Sequence, residues 1–212
     1  GYHGAKPARL QDLIEFYLYE GNLVPLNLLN TKYIITQNEE GQEQVQINPQ
    51  AAGNAWFVQN LKIVPDADAE ILALDSINVR QTAVIQKEFA GLLERNVFPQ
   101  DSTQSIKLVE HRGDYLKYQS QASGDKLAVF SEVYYPNGWQ AYIDGKPTEH
   151  FKVDYILRGM KVPAGKHIIE FKFEPQVVRT GSTISLASNV ILVVLLLGAL
   201  AFSIKRSRET EA

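Results

Sequence analysis

The chain has 212 residues, with 21 Lys and Arg against 24 Asp and Glu, a formal charge of -3. That balance excludes a basic nucleic-acid-binding protein. There is no Cys, which excludes disulfides, thiolate metal sites and a Cys nucleophile and leaves the compartment open.

The chain opens on Gly1 with no initiator Met, no basic leader and no apolar leader. It is expected to be a fragment whose missing upstream part delivered it across a membrane. Residues 5–20, AKPARLQDLIEFYLYE, place Leu10, Leu13, Ile14, Tyr17 and Leu18 at helical spacing, and Gly21-Asn22 stops the helix. Pro25 to Asn30 fits one short helical turn. Thr31 to Thr36 reads as a strand, and a polar turn at Glu39–Gln42 leads to Val45–Ile47, a hairpin pattern. Ala55–Val58 and Leu61–Val64 form one long or two short strands. Trp56 and Phe57 then point to opposite faces, so at most one is expected to be exposed. Asp66 or Asp68 caps a helix running to about Ser76. Thr82–Ile85 is a strand, and Phe89–Arg95 a short helix before Asn96 and Pro99.

Residues 1–101 thus read as a small α+β unit, with Ser102–Ser105 as a polar linker. From Ile106 the pattern changes to short strands joined by turns: 106–111, 115–121, 127–135, 140–143, 148–153, 156–162 and 167–173. Asp144-Gly145 between alternating strands is a strong hairpin signal. This spacing predicts an antiparallel β-sandwich over 106–176.

Gly181 to Ile204 carries no Asp, Glu, Lys or Arg. A helix of about 24 residues spans roughly 36 Å, enough to cross a hydrocarbon core of about 30 Å. Segment 181–204 is therefore read as a transmembrane helix in contact with membrane lipid. Lys205, Arg206 and Arg208 outweigh Arg179, which places the tail 205–212 in the cytoplasm and residues 1–179 outside. The fold class is α+β: a small N-terminal α+β unit, an antiparallel β-sandwich and a C-terminal transmembrane helix.

The most distinctive stretch is Tyr134-Tyr-Pro-Asn-Gly-Trp-Gln-Ala-Tyr-Ile-Asp-Gly-Lys146. Leu157-Arg-Gly-Met-Lys-Val-Pro-Ala-Gly-Lys-His167 follows, and then a strand that runs into the membrane helix. Together with Leu29–Ile34 and Asn48–Phe57, this order resembles the C-terminal end of the YfhO-like family of bacterial multi-spanning membrane proteins. The opening Gly-Tyr-His-Gly-Ala-Lys with Arg9–Ile14 is similar to members from the Bacteroides group. The resemblance implies a parent related to the GT-C glycosyltransferases, which use polyprenyl-phosphate-linked sugars. It also implies an N-terminal membrane domain missing here, a place in the bacterial inner (cytoplasmic) membrane, and catalytic acids in an early loop outside this fragment. No catalytic residue, cofactor or metal is expected in these residues. The region is expected to support binding of a glycan or polyprenyl-phosphate sugar. The alternative is a membrane-anchored carbohydrate- or protein-binding sandwich with a structural role in an envelope complex.

The substrate-binding candidates are Trp139, Tyr142 and Arg158. Trp139, Tyr134, Tyr135 and Tyr142 are the aromatic faces on which a sugar ring would stack, although such faces equally fill sandwich cores, the expected place of Trp139. Arg158 and Lys161, with Lys152, Lys166 and Lys172 nearby, would meet phosphates if they shared one face. Interleaved with Asp154, Glu170 and Glu174, they read more simply as surface charge. Asp144-Gly145-Lys146 is read as a type I′ turn with a solvated lysine. Asp66, Asp68 and Glu70 suit an acidic helix N-terminus better than a cation loop. His3, His111, His150 and His167 share no metal-ligand spacing.

Overall fold

The computed structural model describes residues 6–210, and their side chains as far as residue 200. The GYHGA opening that carries part of the Bacteroides-group likeness, and His3 within it, lie outside the described residues, as do the last two residues of the tail.

The N-terminal helical stretch is shorter than its apolar spacing predicts and changes pitch. An α-helix, α1, covers Ala8–Leu13, and a π-helical turn covers Ile14–Leu18. In that turn the Tyr19 N–H donates to the Ile14 carbonyl at 3.1 Å. The wide turn carries Tyr17 into the core, where its hydroxyl donates to the Ile71 carbonyl. A second short helix, α2, spans Val24–Leu28 with Pro25 in its first turn, where no N–H is needed. Strands β1 (Tyr33–Gln37) and β2 (Glu43–Ile47) form the expected hairpin.

The next two strands are separate and go to different sheets. Strand β3 (Ala55–Val58) pairs antiparallel with β8 (Lys126–Val133). Strand β4 (Asn60–Val64) pairs parallel with β5 (Thr82–Gln86), and helix α3 (Ala67–Ala73) lies between them in sequence. Asp66 caps α3, its Oδ1 accepting the Ala69 N–H at 2.9 Å. A 3-10 turn over Lys87–Leu92 replaces the α-helix expected at Phe89–Arg95.

Strands β6 (Ser105–Arg112), β7 (Tyr115–Ala122), β9 (Trp139–Ile143), β10 (Lys146–Thr148) and β13 (Gly165–Phe173) form one sheet in the order β10-β9-β13-β7-β6. Strands β11 (Phe151–Val153) and β12 (Leu157–Val162) join β8 and β3 in a second sheet, in the order β11-β12-β8-β3. The predicted strand 148–153 is therefore two strands, and the chain changes sheets at Glu149-His150.

The four-stranded sheet is covered on both faces. On one face Trp56, Val58, Leu127, Val129, Val153 and Leu157 join Leu13, Ile71, Val84 and Ile85 in the main core. On the other, Phe130 packs edge-to-face on Tyr118 (4.9 Å) and on Phe171 (4.9 Å) of the facing sheet. Each large apolar side chain buried this way contributes roughly 1.5–3 kcal/mol. Double coverage is why Leu127–Phe130 reads as a continuous apolar run, and why Trp56 and Phe57 are both buried. The line drawn between 101 and 106 in the sequence is crossed by β3, whose partner is β8. Of the described residues, 6–136 and 140–172 fall in one compact unit. The polar stretch before β6 is tied down: the Ser123 N–H donates to Asp101 Oδ2 at 2.6 Å.

The second unit comprises, among the described residues, 137–139 and 173–210. Trp139 packs on Phe173 with ring centroids 5.4 Å apart, and the Glu174 N–H donates to the Gly138 carbonyl at 2.7 Å. A Cβ on Gly138 would come within 2.3 Å of the Phe173 ring, so the Gly-Trp pair leaves room for that ring. Pro175 then starts helix α4, Gln176–Thr210. Its span Gln176–Leu200 has a mean hydropathy of 2.3 and none of it is buried. A long apolar helix that no protein covers is read as the membrane segment.

Candidate functional site

The Asp144-Gly145 turn joins β9 to β10 with φ of 51° and 75° at the two residues, as a type I′ hairpin requires. The backbone fastens this turn to β13. The Asp144 N–H donates to the Ile168 carbonyl (2.8 Å), and the Ile168 N–H donates back to Asp144 Oδ1 (2.9 Å). The second carboxylate oxygen is left to face His167, with Nδ1 2.7 Å from Asp144 Oδ2. His167 Nε2 lies 3.1 Å from the Ala164 carbonyl. Two oxygen acceptors on one imidazole favour the form in which both nitrogens donate. The Asp144 hydrogen bond chiefly, and the Ala164 carbonyl after it, raise the His167 pKa against partial burial. The His167 hydrogen bond, then the Ile168 N–H, lower that of Asp144. Gly165, at φ 122°, lets the hairpin close here, since a Cβ would sit 3.1 Å from His167 Nε2.

This pair is shared by two cavities. The first, about 580 Å³, is floored by Leu92, Ile143, Pro147, Phe151 and Pro163 and edged by Lys146, Thr148, Glu149 and Lys161. Lys161 Nζ donates to Glu94 at 3.2 Å. The second, about 440 Å³, runs over β6, β7 and β13 and is polar, with Ser105, Lys107, Gln119, Gln121 and Lys166. An apolar floor with a few converging polar groups, in this size range, is the usual form of a small-ligand site.

The three sequence candidates lie elsewhere and are not brought together. Trp139 is half-buried against Phe173. Tyr142 is half-buried with the Lys172 ammonium 4.7 Å from its ring centroid. Positions 139 and 142 differ by an odd number, so strand alternation turns them to opposite faces. Arg158 is 2% exposed. Its Nε donates to the Val133 carbonyl at 3.0 Å and its guanidinium lies 5.1 Å from the Phe171 ring. Burial lowers its pKa to about 10 and that of neighbouring His150 to about 4. Of the basic residues near the hairpin, Lys161 and Lys166 reach the cavities. Lys152 lies over the Phe89 ring, and Lys172 lies 3.6 Å from Glu170.

A second group of acids is buried. Glu70 is 0% exposed; its carboxylate accepts from Gln86 Nε2 (2.7 Å) and from the Tyr155 N–H (2.9 Å), with Arg9 at 3.4 Å. Asp154 Oδ1 accepts the Val84 N–H at 2.7 Å. Desolvation is the leading cause that raises both pKa values. These acids hold Asp154 and Tyr155 at φ of 49° and 70° in the β11–β12 turn. Their work is to fix that turn. Among the described residues, no His, Asp and Glu side chains gather as a metal site would need.

Residues 77–185 match the family model described as bacterial membrane protein YfhO. The chain belongs to the YfhO family. The match runs from before β5 into α4, so both cavities, with the Asp144–His167 pair, lie within the YfhO region, and α3 lies outside it. No curated protein and no solved structure matches the chain. With the family and the uncovered helix Gln176–Leu200, this is a membrane protein.

Proposed function

We propose that this chain is the extracytoplasmic C-terminal region of a multi-spanning, GT-C-like glycosyltransferase of the bacterial cytoplasmic membrane, where it holds glycan while the missing membrane domain performs the transfer. The observation that carries the reading is the cleft beside Asp144–His167. A carboxylate fixed by backbone bonds, an imidazole and Lys146 converge over an apolar floor of proline, leucine and phenylalanine. Such a floor suits the C–H face of a pyranose, and a preorganised carboxylate accepts from its hydroxyls. The basic flank Lys205, Arg206 and Arg208 supports an outside position for the cleft-bearing unit. No residue here is assigned to the chemistry.

Calorimetric titration of the full chain in nanodiscs with envelope-type oligosaccharides tests this. Saturable binding that Asp144→Asn weakens supports the cleft. No heat from any saccharide at millimolar concentration sinks it. A second reading, a module that docks another protein, is favoured by the β1–β2 hairpin. There the cross-strand pairs Tyr33–Ile47 and Ile35–Val45 are all exposed on one face.

A further inference from the structure

The polar cavity next to the Asp144–His167 pair has a composition unlike that of the cleft. Its surface is built from two rows across three strands. One row is Lys107, Gln119 and Ile168; the next is Ser105, Gln121 and Lys166. Lys107, Gln119, Gln121 and Lys166 are all exposed. Strand spacing sets the two lysine backbones about 10 Å apart across the sheet and about 7 Å along it, with the two amides between them. Long flexible lysine stems can close that gap around one small group. The sole carboxylate lining the cavity is Asp144, and His167 already holds it at 2.7 Å. Neither Lys107 nor Lys166 makes an ion pair among the described residues. An acid directly across the sheet is the pairing that stabilises a lysine. Here they face glutamines, so the groove has two uncompensated positive charges and amide donors.

We propose that this groove is a subsite for an anionic substituent of the bound saccharide, a phosphate monoester or a carboxylate, with Lys107 and Lys166 as its charge partners and Gln119 and Gln121 as hydrogen-bond donors. The proposal rests on the reading of the neighbouring cleft as a saccharide site. The shared Asp144–His167 pair makes the two cavities adjoining parts of one path, so a ligand with a neutral ring in the cleft can lay its charged substituent over the sheet. A concave, amide-lined surface suits a glycan better than a bilayer, since no exposed large apolar side chain lines it to enter lipid.

The test uses the full chain in nanodiscs of zwitterionic lipid. The probes are a neutral hexose oligosaccharide, its 6-phosphate, its uronic acid counterpart and inorganic phosphate. Two exposed charge pairs predict a roughly 5- to 10-fold preference for the charged saccharides over the neutral one at low salt. That preference shrinks as salt is added. The double variant Lys107→Gln, Lys166→Gln removes the preference and leaves neutral binding unchanged. Equal affinity for charged and neutral probes in the unmodified chain overturns the proposal, as does a preference that survives in the double variant. Loss of the preference in nanodiscs holding anionic phospholipid assigns the groove to lipid headgroups and overturns it too. Lysine NMR shifts with inorganic phosphate, but no binding of any saccharide, uphold the anion groove and defeat the cleft reading on which it rests.

Discussion

Asp144 and Asp154 share a residue type, a turn position and a left-handed backbone, with φ of 51° and 49°, and each accepts a backbone N–H from a neighbouring strand. Asp154 is fully buried and its pKa is raised well above the carboxylate range; Asp144 is half-exposed and its pKa is lowered. Burial on one side and the His167 hydrogen bond on the other separate them. Where no solvent can replace a hydrogen bond, the carboxyl group holds the fold. Where solvent and an imidazole reach it, the same group remains charged and available to a ligand.

The contrast breaks most visibly with Asp154→Ala. It leaves the buried Val84 N–H without its partner and puts a residue with no local hydrogen bond at positive φ. Stability should fall by about 2–4 kcal/mol in denaturant unfolding followed by circular dichroism. Asp154→Asn keeps an acceptor and tolerates the left-handed turn, and should lose far less. Saccharide affinity sharpens the contrast from the other side: Asp144→Asn should weaken binding by about tenfold, the loss of one charge-assisted hydrogen bond. Asp154→Asn should leave affinity unchanged by calorimetry.

The pH dependence should have opposite slopes. Asp154 and Glu70 titrate higher folded than unfolded, so the folded state binds more protons, and their stability contribution falls as pH rises above about 4. Asp154→Asn should flatten that fall in unfolding midpoints measured across pH. Asp144 titrates lower folded than unfolded, so its contribution is lost as pH drops below about 4. His167 titrates higher, and its contribution is lost as pH rises past about 6.5 through its folded pKa. The smallest effect is that of Asp144→Asn on stability, within about 0.5 kcal/mol, because asparagine tolerates the left-handed turn, its amide oxygen still accepts the Ile168 N–H, and the charge it removes is exposed.

Much of this fold was legible residue by residue. Asp144-Gly145 announced its hairpin, the uncharged run before Ile204 announced its helix, and the Asp66/Asp68 pair announced a cap that falls at Asp66, because each signal is local. Pairing was not. Trp56 and Phe57 belong to a strand buried on both faces only because β8, far along the chain, runs beside it. Arg158 looked like a surface cation near a turn, and the register that sets it opposite Phe130 turns it inward. His167 was set aside for want of metal spacing; its partner is Asp144, brought near by the adjacency of β9 and β13. The clue was the pair of turns, Asp-Gly and Pro-Ala-Gly, each beside one member. Glu70 and Asp154 carried no local mark of burial, since an acid in a helix first turn or in a loop is ordinarily wet.

The pairing of β3 with β8 also imposes a timetable. Ala55–Val58 leave the ribosome about 70 residues before the strand they bond to, and at roughly 5–20 residues per second that interval is about 4–14 s. For that time a strand bearing Trp56, Phe57 and Val58 has no lateral partner. A chain bound for the membrane must be kept from pairing with a stranger until residues 127–130 arrive. Its yield in a cell should therefore depend on what shelters the nascent chain more than on the stability of the finished sheet.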